Sequence, residues 1–82
     1  MWRIQACKNF GNVKKGDFGG LIASAKNLSH KGNCWVYDDA IVYNNASVRD
    51  NAVVYENAVV YGNAEVYGNA FVHADAKVYK NA

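Results

Sequence analysis

Two histidines, His30 and His73, and two cysteines, Cys7 and Cys34, are the side chains of this 82-residue chain best suited to proton transfer or nucleophilic attack. A histidine acting as a general base needs a substrate proton within reach and gains from an acidic group that orients its ring. The cysteines have neither metal-ligand spacing nor a His/Asp set around them, so they read as reduced, buried or half-buried thiols in a reducing compartment. The stretch 11–16, GNVKKG, lacks the Gly-Lys-Ser/Thr ending of a phosphate loop. The many asparagines come without the spaced carboxylates that calcium requires, and no metal site is expected.

A second chemistry is anion binding. Residues 1–31 carry six lysine or arginine side chains against Asp17 alone, whereas residues 32–82 carry three against six acidic ones; the whole chain is +2. Lys8, Lys14, Lys15, Lys26 and Lys31 lie among Trp2, Phe10 and Phe18, around a glycine-rich stretch whose backbone amides read as free. Cations, aromatic faces and free amides together suit a nucleotide-like ligand. Duplex DNA fits less well, because the acidic remainder of the chain offsets the positive end.

The elements that must position these groups come from a repeat. From Asp39 the phrase Asn-Ala-x-Val-Tyr-x is spoken seven times, as DAIVYN, NASVRD, NAVVYE, NAVVYG, NAEVYG, NAFVHA and DAKVYK, and begun again at Asn81-Ala82. A six-residue period predicts a left-handed parallel β-helix, each hexad making one flat side and one corner of a triangular prism. Side chains alternate along a side, so the alanine and the valine two residues later point inward. Asn, Asp and Gly are expected at the corners because they tolerate left-handed backbone angles. Traced backwards, 33–38 fits the phrase with Cys34 in the alanine slot, and 27–32 fits its opening. The solenoid is therefore expected over 27–82, about three coils, with 1–26 as an N-terminal β cap and basic loop. Within the cap, 1–7 alternates as a half-buried strand, 9–20 reads as a hairpin or irregular loop, and 21–26 as one more short strand.

With about eighteen residues per coil, the outward positions sort into three faces. One is polar and includes Ser29, Ser47, Glu65 and Arg49. The second stacks Trp35, Val53 and Phe71 beside Tyr37, Tyr55 and His73. The third stacks Ile41, Val59 and Lys77 beside Tyr43, Tyr61 and Tyr79. The second face predicts a subunit contact, since an apolar column flanked by tyrosines is a poor surface for a soluble monomer. The competing expectation is cover by the N-terminal segment. An unfinished hexad at Asn81-Ala82 suggests end-to-end stacking on another copy.

The wording VKKGDFGG at 13–20, then NLSHKGNCWVYDDAIVYNNASV at 27–48, resembles the small hexapeptide-repeat proteins of bacteria and prophages that carry an acyltransferase label, the YdcK type. The resemblance implies a left-handed β-helix, commonly trimeric. Hexapeptide acyltransferases use a histidine base between coils with acetyl-CoA along the coil sides, which would give that role to His73. No acidic partner for His73 is evident in its own stack, and no long loop leaves the coils to shape an acceptor pocket.

The reading is a small, cytoplasmic, non-enzymatic homo-oligomer, dimer or trimer, that acts by binding a protein target or an anionic ligand, as a phage-encoded accessory or inhibitor protein would. Its interface would comprise Trp35, Tyr37, Val53, Tyr55, Phe71 and His73. The alternatives are a minimal acyltransferase using acetyl-CoA with His73 as base, and a structural cap or fibre module. There is no apolar run long enough for a membrane helix and no secretory pattern at the N-terminus.

Overall fold

A computed structural model describes residues 1–29 and 31–80. The chain is an all-β solenoid of about three turns, closed at its N-terminal end by a hairpin. In chain order the strands are β1 (Trp2–Gln5), β2 (Phe18–Ile22), β3 (Trp35–Val36), β4 (Ile41–Val42), β5 (Ser47–Val48), β6 (Val53–Val54), β7 (Val59–Gly62), β8 (Glu65–Val66), β9 (Phe71–Val72) and β10 (Lys77–Lys80). A single turn of 3-10 helix, Ala25–Asn27, lies between β2 and β3.

The hexads make the prism as their composition requires. One side carries the order β1-β2-β4-β7-β10, a second β3-β6-β9, and the third β5-β8, with Leu28 bridged to Val48 above it. From Trp35 onward the register is eighteen: Trp35 lies on Val53 and Val53 on Phe71, while Ile41 lies on Val59 and Val59 on Lys77. Backbone amides of each coil donate to carbonyls of the next, as in Tyr37 N–H to Val54 O at 2.7 Å and Tyr43 N–H to Val60 O at 3.0 Å. Val36, Val42, Val48, Val54 and Val60 are fully buried, and each such valine contributes about 1.5–3 kcal/mol of hydrophobic stabilisation. Ala40, Ala46, Ala52 and Ala58 are equally buried beside them, small enough to let the chain turn. In the last described coil Ala70 and Ala76 are exposed and Val78 is half-buried, since no further described coil lies against them. Asn81-Ala82 lies outside the described residues, and so does the stacking expected there.

The corners take the left-handed angles expected of them, mostly at Asp, Asn and Gly, and two other expectations need correction. Left-handed backbone angles fall on the sixth residue of the hexad, before the Asn or Asp that opens the next: Asp38, Asn44, Asp50, Glu56, Gly62, Gly68 and Ala74 have φ between 57° and 66°. The corner side chains also bond the neighbouring coil, with Asp38 Oδ2 accepting from Glu56 N–H and Asp50 Oδ2 from Gly68 N–H, both at 3.0 Å.

The solenoid begins earlier than residue 27. Leu21 and Ile22 of β2 already pair in parallel with Ile41 and Val42, so the glycine-rich segment feeds directly into the first side. The 21–26 strand is thus the end of β2 followed by the 3-10 turn.

The first coil is also longer. Ile22 lies on Val42 and Leu28 on Val48, a step of twenty, before Trp35 restores eighteen. Leu28 therefore fills a valine slot, not the alanine slot the phrase gave it. The two extra residues fall between Leu28 and Trp35, and in that stretch Gly32 has φ +74° and a Cβ on it would lie 2.4 Å from Asp50 O.

The cap is fixed by side chains that reach the prism. β1 runs antiparallel to β2, pairing Trp2 with Ile22 and Arg3 with Leu21. Arg3 Nη1 donates to Gly19 O at 2.8 Å and Asp38 O at 3.0 Å, and Nη2 reaches Asp39 Oδ1 at 3.4 Å. Gly19 and Gly20 are required by close approach: a Cβ on either would lie 2.4 Å from Val36 O or Ala40 O. Asn27, fully buried, ties the first corner to the next coil, its Oδ1 accepting from Ala23 and Ser24 N–H while Nδ2 donates to Asn44 O and Ala46 O.

Candidate functional site

The second face is the least polar side of the prism, and the cap divides it. The loop after β1 turns back on itself at Phe10 and Val13, whose backbones exchange hydrogen bonds of 2.9 and 2.7 Å. This tight turn lays Phe10 against Trp35, edge to face, with ring centroids 5.3 Å apart. Trp35, expected at the centre of a subunit contact, is 6% exposed and belongs to the core. The N-terminal segment covers Trp35 on the top rung of this face.

Below that rung an open groove of about 470 Å³ remains, bounded by Asn12, Tyr37, Asp38, Val53, Tyr55 and Phe71. Tyr37, Val53 and Tyr55 are half-buried, whereas Phe71 stands 67% exposed on the rung beneath Val53. Burial pushes the Tyr37 phenol above its ordinary pKa, and the charges of Asp17 and Asp38 add to the effect. It is a neutral hydroxyl at physiological pH. Of the six interface residues read from the sequence, the fold thus brings Tyr37, Val53, Tyr55 and Phe71 to one groove and removes Trp35 from it.

His73 lies at the edge of this face with its ring stacked on Tyr55, centroids 5.2 Å apart. Its Nδ1 is 3.8 Å from Glu56 Oε1, and both side chains are about half exposed. The sequence reading found no acidic neighbour, because Glu56 sits at a corner, one position beyond the tyrosine above His73. The pair is longer than a hydrogen bond, and neither residue lines the groove. His30 lies outside the described residues.

Lys8, Lys14, Lys15, Lys26 and Lys31 are exposed; Lys26 Nζ donates to Asn45 Oδ1 at 2.8 Å, and Lys8 lines a cavity. The loop amides expected to be free for an anion are used internally. Lys14 N–H donates to Asp17 Oδ2, Lys15 N–H to Asn9 Oδ1, Gly16 N–H to Ala6 O and Asp17 N–H to Lys14 O. A cradle of backbone donors is therefore not present in that loop.

On the third face Tyr43, Tyr61 and Tyr79 stack with centroids 5.4 and 5.1 Å apart, and Tyr79, like Tyr67 on the first face, is more than half exposed. Arg49 lies over the Tyr67 ring at 4.7 Å and 3.9 Å from Glu65. Cys34 is buried, its Sγ donating to Ser29 O at 3.3 Å, and burial raises its pKa; it is an inert thiol. Cys7 is exposed. Among the described residues no helix is long and apolar enough to cross a membrane, and no three His, Cys, Asp or Glu side chains group as metal ligands would.

No protein family, no curated protein and no solved structure matches this chain. The resemblance to the YdcK type rests on the wording of 13–20 and 27–48 alone. Sequence reasoning missed the Arg3 pin, the Asn27 tie and the Glu56–His73 pair. Only the adjacent glycines Gly19 and Gly20 offered a signal, as glycines at a close backbone approach.

Proposed function

We propose that the protein is a non-enzymatic binding module that works as a homo-oligomer through the lower half of its second face. The observation that supports this reading is Phe71, two-thirds exposed at one end of a groove walled by Val53, Tyr37 and Tyr55. Apolar area of this kind, with aromatic groups and few charges, matches the core of an interface better than a catalytic cleft. A two-fold pairing would bring the Phe71 of each copy against Tyr37, Val53 and Tyr55 of the other, the self-complementarity an isologous contact requires.

Light scattering at tens of micromolar should give a mass above one chain, and Phe71→Asp should reduce it to the monomer mass with the melting point nearly unchanged. A monomeric native protein at that concentration refutes the proposal. Trp35→Asp is unsuitable for this purpose, because Trp35 is part of the core.

The Glu56–His73 pair favours a second reading, a minimal acyltransferase with His73 as base. Acetyl-CoA should then raise the melting point, and His73→Ala should abolish the gain. The half exposure of both side chains and the lack of a surrounding pocket make this the weaker reading.

A further inference from the structure

The cap does not fill the space above the first coil. A cavity of about 310 Å³ opens between the β1 end of the cap and the prism, walled by Ile4, Phe10, Ile22, Leu28 and Trp35. Ile22 and Leu28 occupy inward slots of the first coil, equivalent to Val42 and Val48 below them. A further coil would cover them with alanine and valine. The hairpin instead crosses with Ile4 and Ala6 and leaves the cavity between them and the first coil. Its volume falls at the lower end of the size range of small-molecule sites.

The rim is polar on the cap side. Gln5, Cys7 and Lys8 line it there, with Ser29 opposite. Lys8 is exposed, and it belongs to the end of the chain where six cationic side chains face one aspartate. Arg3 is committed to Gly19, Asp38 and Asp39, and Lys26 Nζ to Asn45. Lys8 is thus the cation that the fold places at the mouth of an apolar cavity.

We propose that this crevice binds a medium-chain aliphatic carboxylate, with its tail among Ile4, Ile22, Leu28 and Trp35 and its carboxylate at Lys8. The tail gains by leaving water, and the head stays at the solvent edge, where a single lysine in a positive field favours an anion over a neutral or cationic group. The site is separate from the oligomer face, so either proposal can fail alone.

The test uses octanoate, octanol and octyltrimethylammonium as probes on the full chain. A Trp2→Phe background leaves Trp35 as the sole tryptophan reporter. Cys7, exposed on the rim, gives a second local reading through its rate of alkylation. Octanoate should change Trp35 emission saturably and slow Cys7 alkylation at matching concentrations, while octanol binds several-fold more weakly and the ammonium probe not at all. Lys8→Glu should weaken octanoate binding about tenfold without changing that of octanol. Ala25→Phe, which places a ring on the exposed rim, should block both. Absence of saturable octanoate binding overturns the proposal. So does octanol binding equal to octanoate, or octanoate binding that survives both Lys8→Glu and Ala25→Phe.

Discussion

The ring edge of Phe10 meets Trp35 at 5.3 Å between centroids, with the two planes 69° apart, and this contact joins the cap to the second face of the prism. Phe10 is half-buried, so Phe10→Ala removes part of an aromatic side chain's burial together with an edge-to-face pair. The expected cost is about 2 kcal/mol in chemical denaturation. In the Trp2→Phe background, Trp35 emission should shift to the red as water reaches the indole. An unshifted spectrum would mean that the 10–13 turn does not cover Trp35 in solution.

Asn27 makes four hydrogen bonds through one amide, the full capacity of that group. Asn27→Ala removes the side-chain acceptor of Ser24 N–H, one of the two acceptors of Ala23 N–H, and the donor to Asn44 O and Ala46 O of the next coil, at a site shielded from most solvent. A loss of about 3 kcal/mol is expected, and amide exchange at Ala23 and Ser24 should accelerate more than exchange at Tyr55. Equal acceleration at all three would indicate global destabilisation without a local tie.

Ala74 holds φ at +57°, a region that costs a residue with a Cβ about 1–2 kcal/mol. The matching corners at Gly62 and Gly68 use glycine. Ala74→Gly should therefore raise stability by about 0.5–1 kcal/mol, after the larger entropy of glycine in the unfolded chain is deducted. A lowered melting temperature would contradict the corner geometry.

The pKa of Cys34 is raised by burial, so its thiol ionises more readily in the unfolded chain than in the folded one. Its contribution to stability is fully present below the ordinary thiol value of 9.0 and is lost as pH rises from there through the folded pKa. Cys34 occupies the alanine slot of its hexad and lies on Ala52, so Cys34→Ala should fold normally. Melting temperature followed from pH 7 to pH 11 should fall less steeply above about pH 9 in Cys34→Ala than in the native protein. Parallel curves would place the alkaline sensitivity elsewhere, with Tyr37 the other group shifted in the same direction.

The regular part of the fold was legible because its physics is periodic. Alternation at Ala40, Val42, Ala46 and Val48 set the inward positions, and a period of six set the stacking of Trp35, Val53 and Phe71. What escaped lies in the first coil, where single side chains act over long sequence distances. Nothing local distinguishes Asn27 from the asparagines that open other hexads, yet its side chain is fully buried between two successive corners and theirs are not. The apolar character of Trp35 was evident; whether Phe10 or another chain would cover it depended on a turn made by only four residues. The loop amides of 14–17 looked available because Asp17 and Asn9 could not be seen folding back on them.

The two-residue excess in the first coil also bears on how the chain finds its pairing. Below Val36 the rungs present the same alanine and valine to one another, so a strand displaced by a whole coil would meet nearly the same neighbours. Such near-degeneracy invites slipped and trapped conformers during folding. The corner at Gly32, which admits no Cβ, and the Asn27 amide, which fits only between Asn44 O and Ala46 O, break that degeneracy at one end. They act as a keyed first rung from which every later strand counts its place.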